Sequence, residues 1–219
     1  MRTLARVSAT IASAVGMTLI VSSCSAGREE AKERPRYPEV SVENACDGIF
    51  KGRPAAEIKK ATERGKVYQI RPEESIEKEA EGAIDDSPSS NISIICSIRG
   101  ELSETDPLIE INFRRQNGPP PLSARGSSEE KSYLLGERAV LREDGKTVRF
   151  DTLCRIPELA DNFGEKNTIH LFMVDEVDLT IEIRANILAS AAEKASSGLG
   201  CVNEVRFPEG ENLKEIPRG

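Results

Sequence analysis

Five cysteines (Cys24, Cys46, Cys96, Cys154 and Cys201) and one histidine, His170, are the residues of this chain whose types most readily support chemistry. Any Ser-His-Asp or Cys-His arrangement would have to use His170, the sole side chain with a near-neutral pKa. No Gly-x-Ser-x-Gly motif accompanies it, and it sits in an alternating run, Asn167–Val174, that reads as a strand. Alternation turns it away from Ile169 and Leu171, which makes it a partly exposed strand histidine, and no catalytic residue is assigned. A zinc site would need CxxC spacing or a neighbouring histidine, and the cysteines have neither. Acids cluster at Glu73-Glu74, Glu77 to Glu81, Asp85-Asp86 and Asp175-Glu176-Asp178, without the Asp-x-Asp-x-Asp-Gly order of a calcium loop. They read as solvated faces. With no Gly-rich phosphate loop either, the sequence assigns no metal and no cofactor. Carboxylate pairs that meet only in the fold are invisible at this level, so a hydrolase working through carboxylates or serine stands as the alternative to a non-catalytic protein.

The first cysteine is set apart by what precedes it. Arg2 and Arg6 are basic, no acid appears before Glu29, and Val7–Val21 is a small, apolar run of fifteen residues. That is short of the roughly 20 needed to span a bilayer core, and it has the order of a secretory signal, residues 1–23. Val21-Ser22-Ser23-Cys24 resembles the bacterial lipobox. The resemblance implies that Cys24 carries a diacylglyceryl thioether with palmitate-type chains and becomes the mature N-terminus. That would place the protein on the outer, extracytoplasmic face of the cell membrane. Two acyl chains anchor stably where one does not. Residues 24–40 then form a tether, charged and interrupted by Pro35 and Pro38. Sixteen flexible residues reach about 20–24 Å.

Loss of residues 1–23 removes two arginines and no acid, leaving 196 residues and moving the formal charge from −7 to −9. Such an acidic body argues against nucleic acid and against basic-patch binding to anionic lipid. Tryptophan is absent and aromatics make up 4% of the chain, which disfavours an aromatic sugar-binding platform and leaves the core to Ile, Leu, Val and Ala. Residues 41–207 suffice for a single domain, followed by a polar tail, 208–219. With Cys24 acylated, the other four cysteines form the even set expected of an exported chain, hence two disulfides. Of three connectivities the sequential one is expected, Cys46–Cys96 and Cys154–Cys201. Each closes a loop near fifty residues, worth about 4 kcal/mol in the chain-entropy model.

These residues need elements to hold them. Pro54 at a first helical position, followed by Ala55, Ala56, Ile58 and Ala61, predicts a helix stopped by Gly65. Lys66–Arg71 predicts a short strand, and the acidic 72–90 a surface loop with one helical turn. Residues 91–100 around Cys96, 107–115 and 167–174 predict strands, with Leu108 or Ile109, Ile111 and Phe113 facing the core. Pro119 to Pro121 read as a rigid loop. Ser127 three residues before Glu130 predicts a capping box and a short helix. Two alternating runs around Asp144-Gly145 predict a hairpin. Ala185–Leu199 predicts an alanine-rich helix whose start is ambiguous, because Val177 and Ile181 fit both strand and helix periods. The fold class is therefore α+β: a mostly antiparallel sheet with two or three helices packed on it and two disulfides. A faint echo between the segments beginning at Cys96 and Cys154 fits two related halves and chance similarity equally.

The lipobox, Ala45-Cys-Asp-Gly-Ile-Phe50 before an Ala-rich helix, the segments Leu135–Val140 and Gly145–Cys154, and a helix ending Gly198-Leu-Gly-Cys201 together resemble small lipoproteins of Streptomyces-type actinobacteria. The resemblance implies an exported α+β domain with two disulfides, supports Cys154–Cys201, and carries over no catalytic residue. The expected function is that of a lipid-anchored interaction or ligand-binding domain, whose partner is a protein or a small molecule. A carrier of amphiphiles is a third class, which would need a cavity between sheet and helices.

Overall fold

The computed structural model describes residues 37–85, 92–101, 105–117, 130–136, 139–156, 167–203, 207 and 213–217. Cys24, the signal, most of the tether, Pro119 to Pro121 and Ser127 lie outside these. Residues 37–219 form one compact unit. Its strands are β1 (Glu39–Ser41), β2 (Lys66–Arg71), β3 (Ser93–Arg99), β4 (Ile109–Asn117), β5 (Lys131–Leu135), β6 (Ala139–Asp144), β7 (Thr147–Cys154), β8 (Asn167–Asp175) and β9 (Leu213–Glu215). They make one sheet in the order β1-β2-β3-β4-β8-β7-β6-β5-β9, with every pairing antiparallel. The α-helices are α1 (Arg53–Thr62), α2 (Ile76–Asp85) and α3 (Ile181–Gly198), and a 3-10 segment spans Val42–Gly48.

The antiparallel sheet and both disulfides agree with the sequence reading, while the helical elements among the described residues number four rather than two or three. The additional element arises in the acidic stretch, where α2 forms over Ile76–Asp85. Its apolar residues are few, yet Ile76 and Ala80 recur at helical spacing and are both fully buried. Lys131–Leu135, expected to follow a capping box into a helix, is a strand instead, because Ser132 to Leu135 pair with β6. The expected polar tail contributes β9, in which Leu213 packs against the core and pairs with Leu135. β1 begins at Glu39, two residues inside the expected tether, where Glu39 and Val40 pair with Tyr68 and Val67.

Strand alternation puts successive side chains on opposite faces. One face carries Ile109, Ile111 and Phe113 of β4, Ile169, Leu171 and Met173 of β8, and Val148 and Phe150 of β7, all fully buried. The register aligns them across the sheet. A bulge in β3 between Ile94 and Cys96 lets Ile95 and Cys96 both reach the interior. Helix α3 packs on β7 and β8 and is flanked by α1 and α2. Covered on several sides, it buries ten residues, which is why its sequence is alanine-rich rather than amphipathic.

Helix α3 starts at Ile181, with Thr180 as N-cap. The ambiguity in the sequence is resolved by Asp175. Its carboxylate accepts the N–H groups of Val177 and Leu179, both at 2.7 Å, and Nε of Arg184 at 2.9 Å. Arg184 also donates to the Gly145 carbonyl and to Glu143. Asp175 is therefore a buried lock between sheet and helix and not part of a solvated acidic face, whereas Glu176 pairs at the surface with Lys146.

Disulfides Cys46–Cys96 and Cys154–Cys201 join Cα atoms 5.6 and 5.3 Å apart. The first ties the 3-10 segment to mid-β3, and the second ties the end of α3 to the end of β7. Cys46 and Asp47 adopt left-handed backbone conformations, φ 49° and 58°. Side chains hold this turn: Gln69 Oε1 accepts the Cys46 N–H, and the Asp47 carboxylate accepts the N–H of Ile76, starting α2.

Candidate functional site

At the end of the sheet where β4 finishes and β8 begins, the core-facing alternation runs on past the apolar residues. The series Ile109, Ile111, Phe113 continues to Arg115, and the series Met173, Leu171, Ile169 continues to Asn167. Arg115 lies opposite Ile169, and Asn167 lies opposite Asn117 on one side and Cys154 on the other. Arg115 and Asn167 are thus diagonal neighbours on one face, about 7–8 Å apart between Cα atoms. Arg115 is 6% exposed and Asn167 1%.

Neither side chain is satisfied. Nε and Nη1 of Arg115 and both polar atoms of Asn167 are buried without a hydrogen-bond partner. Burial alone pulls the Arg115 guanidinium below its ordinary range, but an arginine keeps its charge in proteins. A buried charge stripped of its partner costs about 3–5 kcal/mol, and an unpaired buried amide group about 1–3 kcal/mol. The buried charge at the other end of β8 is paired, as Asp175 with Arg184 demonstrates. At this sheet end, next to the Cys154–Cys201 bridge, a guanidinium keeps two donors and an amide keeps both polar atoms unpartnered.

The reverse face of the same strands carries a second polar group. His170 and Asp151 are directly opposed in β8 and β7. His170 Nδ1 is hydrogen-bonded to Asp151 Oδ1, and Arg142 Nη1 donates to Oδ2 at 2.9 Å. The imidazole stacks on Phe172, centroids 6.3 Å apart, and Phe172 also lies beneath the Arg149 guanidinium. His170 does face away from Ile169 and Leu171, but it is only 8% exposed, which corrects the expectation of a partly exposed residue. Pairing with Asp151 and stacking on Phe172 account for its burial. With Asp151 holding Nδ1, a neutral ring presents its lone pair at Nε2. That atom is buried without a partner, so no described hydroxyl or thiol is hydrogen-bonded to it.

A cleft of about 340 Å³ opens between the turn before α1 and the outer side of α3, floored by Ile49, Ala189 and Phe207 and rimmed by Lys51 and Glu193. No sheet strand among the described residues lines it. Among the described residues no three His, Cys, Asp or Glu side chains converge as metal ligands, and no helix is long and apolar enough to cross a membrane.

Of the residues singled out by sequence, Cys46, Cys96, Cys154 and Cys201 are structural bridges, and Cys24 lies outside the described residues. Arg115 and Asn167 carried no sequence assignment. The signal that would have found them is parity, a charged and a carboxamide residue at core-facing positions of two strands. No family model matches the chain, nor does any curated protein or solved structure compared with it.

Proposed function

We propose that this chain is a membrane-anchored extracytoplasmic lipoprotein whose body is a non-catalytic ligand-binding domain, akin to the small actinobacterial lipoproteins it resembles. The observation that carries the binding reading is the unsatisfied Arg115–Asn167 pair at the closed end of the sheet. Buried polar groups are almost always hydrogen-bonded, and exceptions call for a physical reason. A ligand supplies one, because it satisfies both side chains at once and converts their burial from a cost into affinity. The anchor rests on the lipobox at Cys24, and export is supported by four remaining cysteines that pair completely. Intact mass of membrane-extracted protein should show a diacylated Cys24, and native mass spectrometry of the same preparation should show a small molecule retained by the parent chain and absent from Arg115→Met. A mature chain released without acyl groups refutes the anchor. Binding fails if neither chain retains a ligand.

The alternative, an exported hydrolase, is favoured by one observation, the Asp151-oriented His170 with an unpartnered Nε2. Such a dyad is half of a nucleophile-activating system. Labelling by a fluorophosphonate probe that disappears in His170→Ala would establish this reading in place of the first.

A further inference from the structure

The geometry points to a small monocarboxylate bearing an adjacent hydrogen-bond donor, such as a 2-hydroxy acid or an N-acylated amino acid, as the ligand of the Arg115–Asn167 site. This inference rests on the ligand-binding reading and specifies its ligand class.

The reasoning starts from charge. Among the described residues of the site the one formal positive charge is on Arg115, and Asn167 is neutral. Asp175, the acid on the same face of β8, lies at the far end of the strand and is engaged with Arg184 and two backbone N–H groups. A single negative charge balances the site, whereas a phosphate dianion would bring more charge than one guanidinium neutralises.

Shape comes next. Nε and Nη1, the two unpartnered donors of Arg115, belong to one planar guanidinium and point in different directions. A carboxylate oxygen can accept one of them in a charge-assisted bond. Asn167 then adds a requirement that no bare anion meets. Its Nδ2 donates and its Oδ1 accepts, and both are unpartnered. Nδ2 can serve an anionic oxygen, but Oδ1 needs a donor from the ligand itself. A hydroxyl or amide N–H next to the carboxylate provides it. Acetate, sulfate or chloride would leave Oδ1 buried and unpaired, which costs affinity.

Asn167 also offers an internal control. Asn167→Asp is nearly isosteric and places a carboxylate beside Arg115. It should supply the missing charge from within the protein, raise Tm without ligand and abolish the response to ligand.

The test is calorimetry of the full chain in detergent micelles at constant ionic strength, with glycolate, N-acetylglycine, acetate, phosphate and sulfate as probes. Glycolate or N-acetylglycine should give a saturable rise in Tm, about 5–10 °C at a hundredfold excess over Kd. Acetate should give a weaker rise, and both Arg115→Met and Asn167→Asp should be unresponsive. Phosphate or sulfate stabilising more than the carboxylates overturns the ligand class. An unchanged or lowered Tm in Asn167→Asp, or an equal response in Arg115→Met, overturns the site. If native mass spectrometry still finds a retained ligand when the carboxylates fail, the binding reading survives without this ligand class.

Discussion

Gly198→Ala sets two effects of opposite sign against each other at one position. Gly198 is the last residue of α3, and a Cβ built there would lie 2.0 Å from the Glu77 carbonyl oxygen, 2.7 Å from its carbon and 2.8 Å from its Cα. All three are backbone atoms of α2 and cannot rotate away. Restoring ordinary contact at 3.4 Å requires the helices to part by about 1.4 Å at the crossing. The interface there is fully packed, with Ile76 and Ala80 on α2 and Ala191 and Ala195 on α3 all at 0% exposure. A gap of 0.5–1 Å already forfeits a quarter to a half of each dispersion contact. Helix α3 cannot slide aside freely, because Cys201, three residues on, is bridged to Cys154. Overpacking of this kind costs about 3 kcal/mol. Against it stands the gain from replacing glycine in a helix, about 0.5–1 kcal/mol. The net expectation is a loss of about 2 kcal/mol, a fall of about 1 M in the urea midpoint with an unchanged slope. Gly82 in α2 provides the control, since it is exposed and a Cβ there meets nothing within 4 Å. Gly82→Ala should raise the midpoint by the propensity gain alone. If both variants raise the midpoint, the close crossing of α2 and α3 is wrong.

Three further outcomes follow from the geometry. Cys201→Ser should lower stability by about 4 kcal/mol and expose a single alkylatable thiol that maps to Cys154, not to Cys46 or Cys96. Asp175→Asn should cost about 3 kcal/mol by stranding the buried Arg184 guanidinium, with partial recovery in the Asp175→Asn, Arg184→Met double variant under urea titration. Tyr133 has its pKa raised to about 12 by burial and by Glu143, so its neutral form stabilises the fold fully below the unfolded value near 10 and this contribution disappears as pH rises towards 12. Tyr133→Phe should flatten the fall of Tm across that alkaline window and remove the tyrosinate absorbance transition at about 12.

Most strands were legible because each carries its own local pattern. The β6–β7 hairpin has two alternating runs around Asp144-Gly145, and β8 alternates along its whole length. What escaped was decided by distant partners. Helix α2 has only a sparse apolar stripe, and its first N–H is capped by Asp47, 29 residues earlier. β9 is three residues long and polar apart from Leu213, and only the edge of β5 makes it a strand. The start of α3 could not be read from period alone, because the residue that fixes it is the buried Asp175, whose charge looked like part of an acidic surface.

Asp175 and Arg115 explain why the candidate site was harder to read than the sheet around it. Each is a charged residue at a core-facing parity near a strand terminus, and the sequence gives no way to tell their fates apart. Asp175 meets Arg184 from the next helix and becomes a structural lock. Arg115 has as its diagonal neighbour an amide, Asn167, which cannot neutralise it. The distinction depends on which side chain the fold brings across the sheet, a relation between β4, β8 and α3 that no local pattern encodes. It is also what separates structure from function here. A satisfied buried charge holds the fold together internally, whereas the Arg115 guanidinium leaves Nε and Nη1 unpartnered, the opening that the proposed ligand would fill.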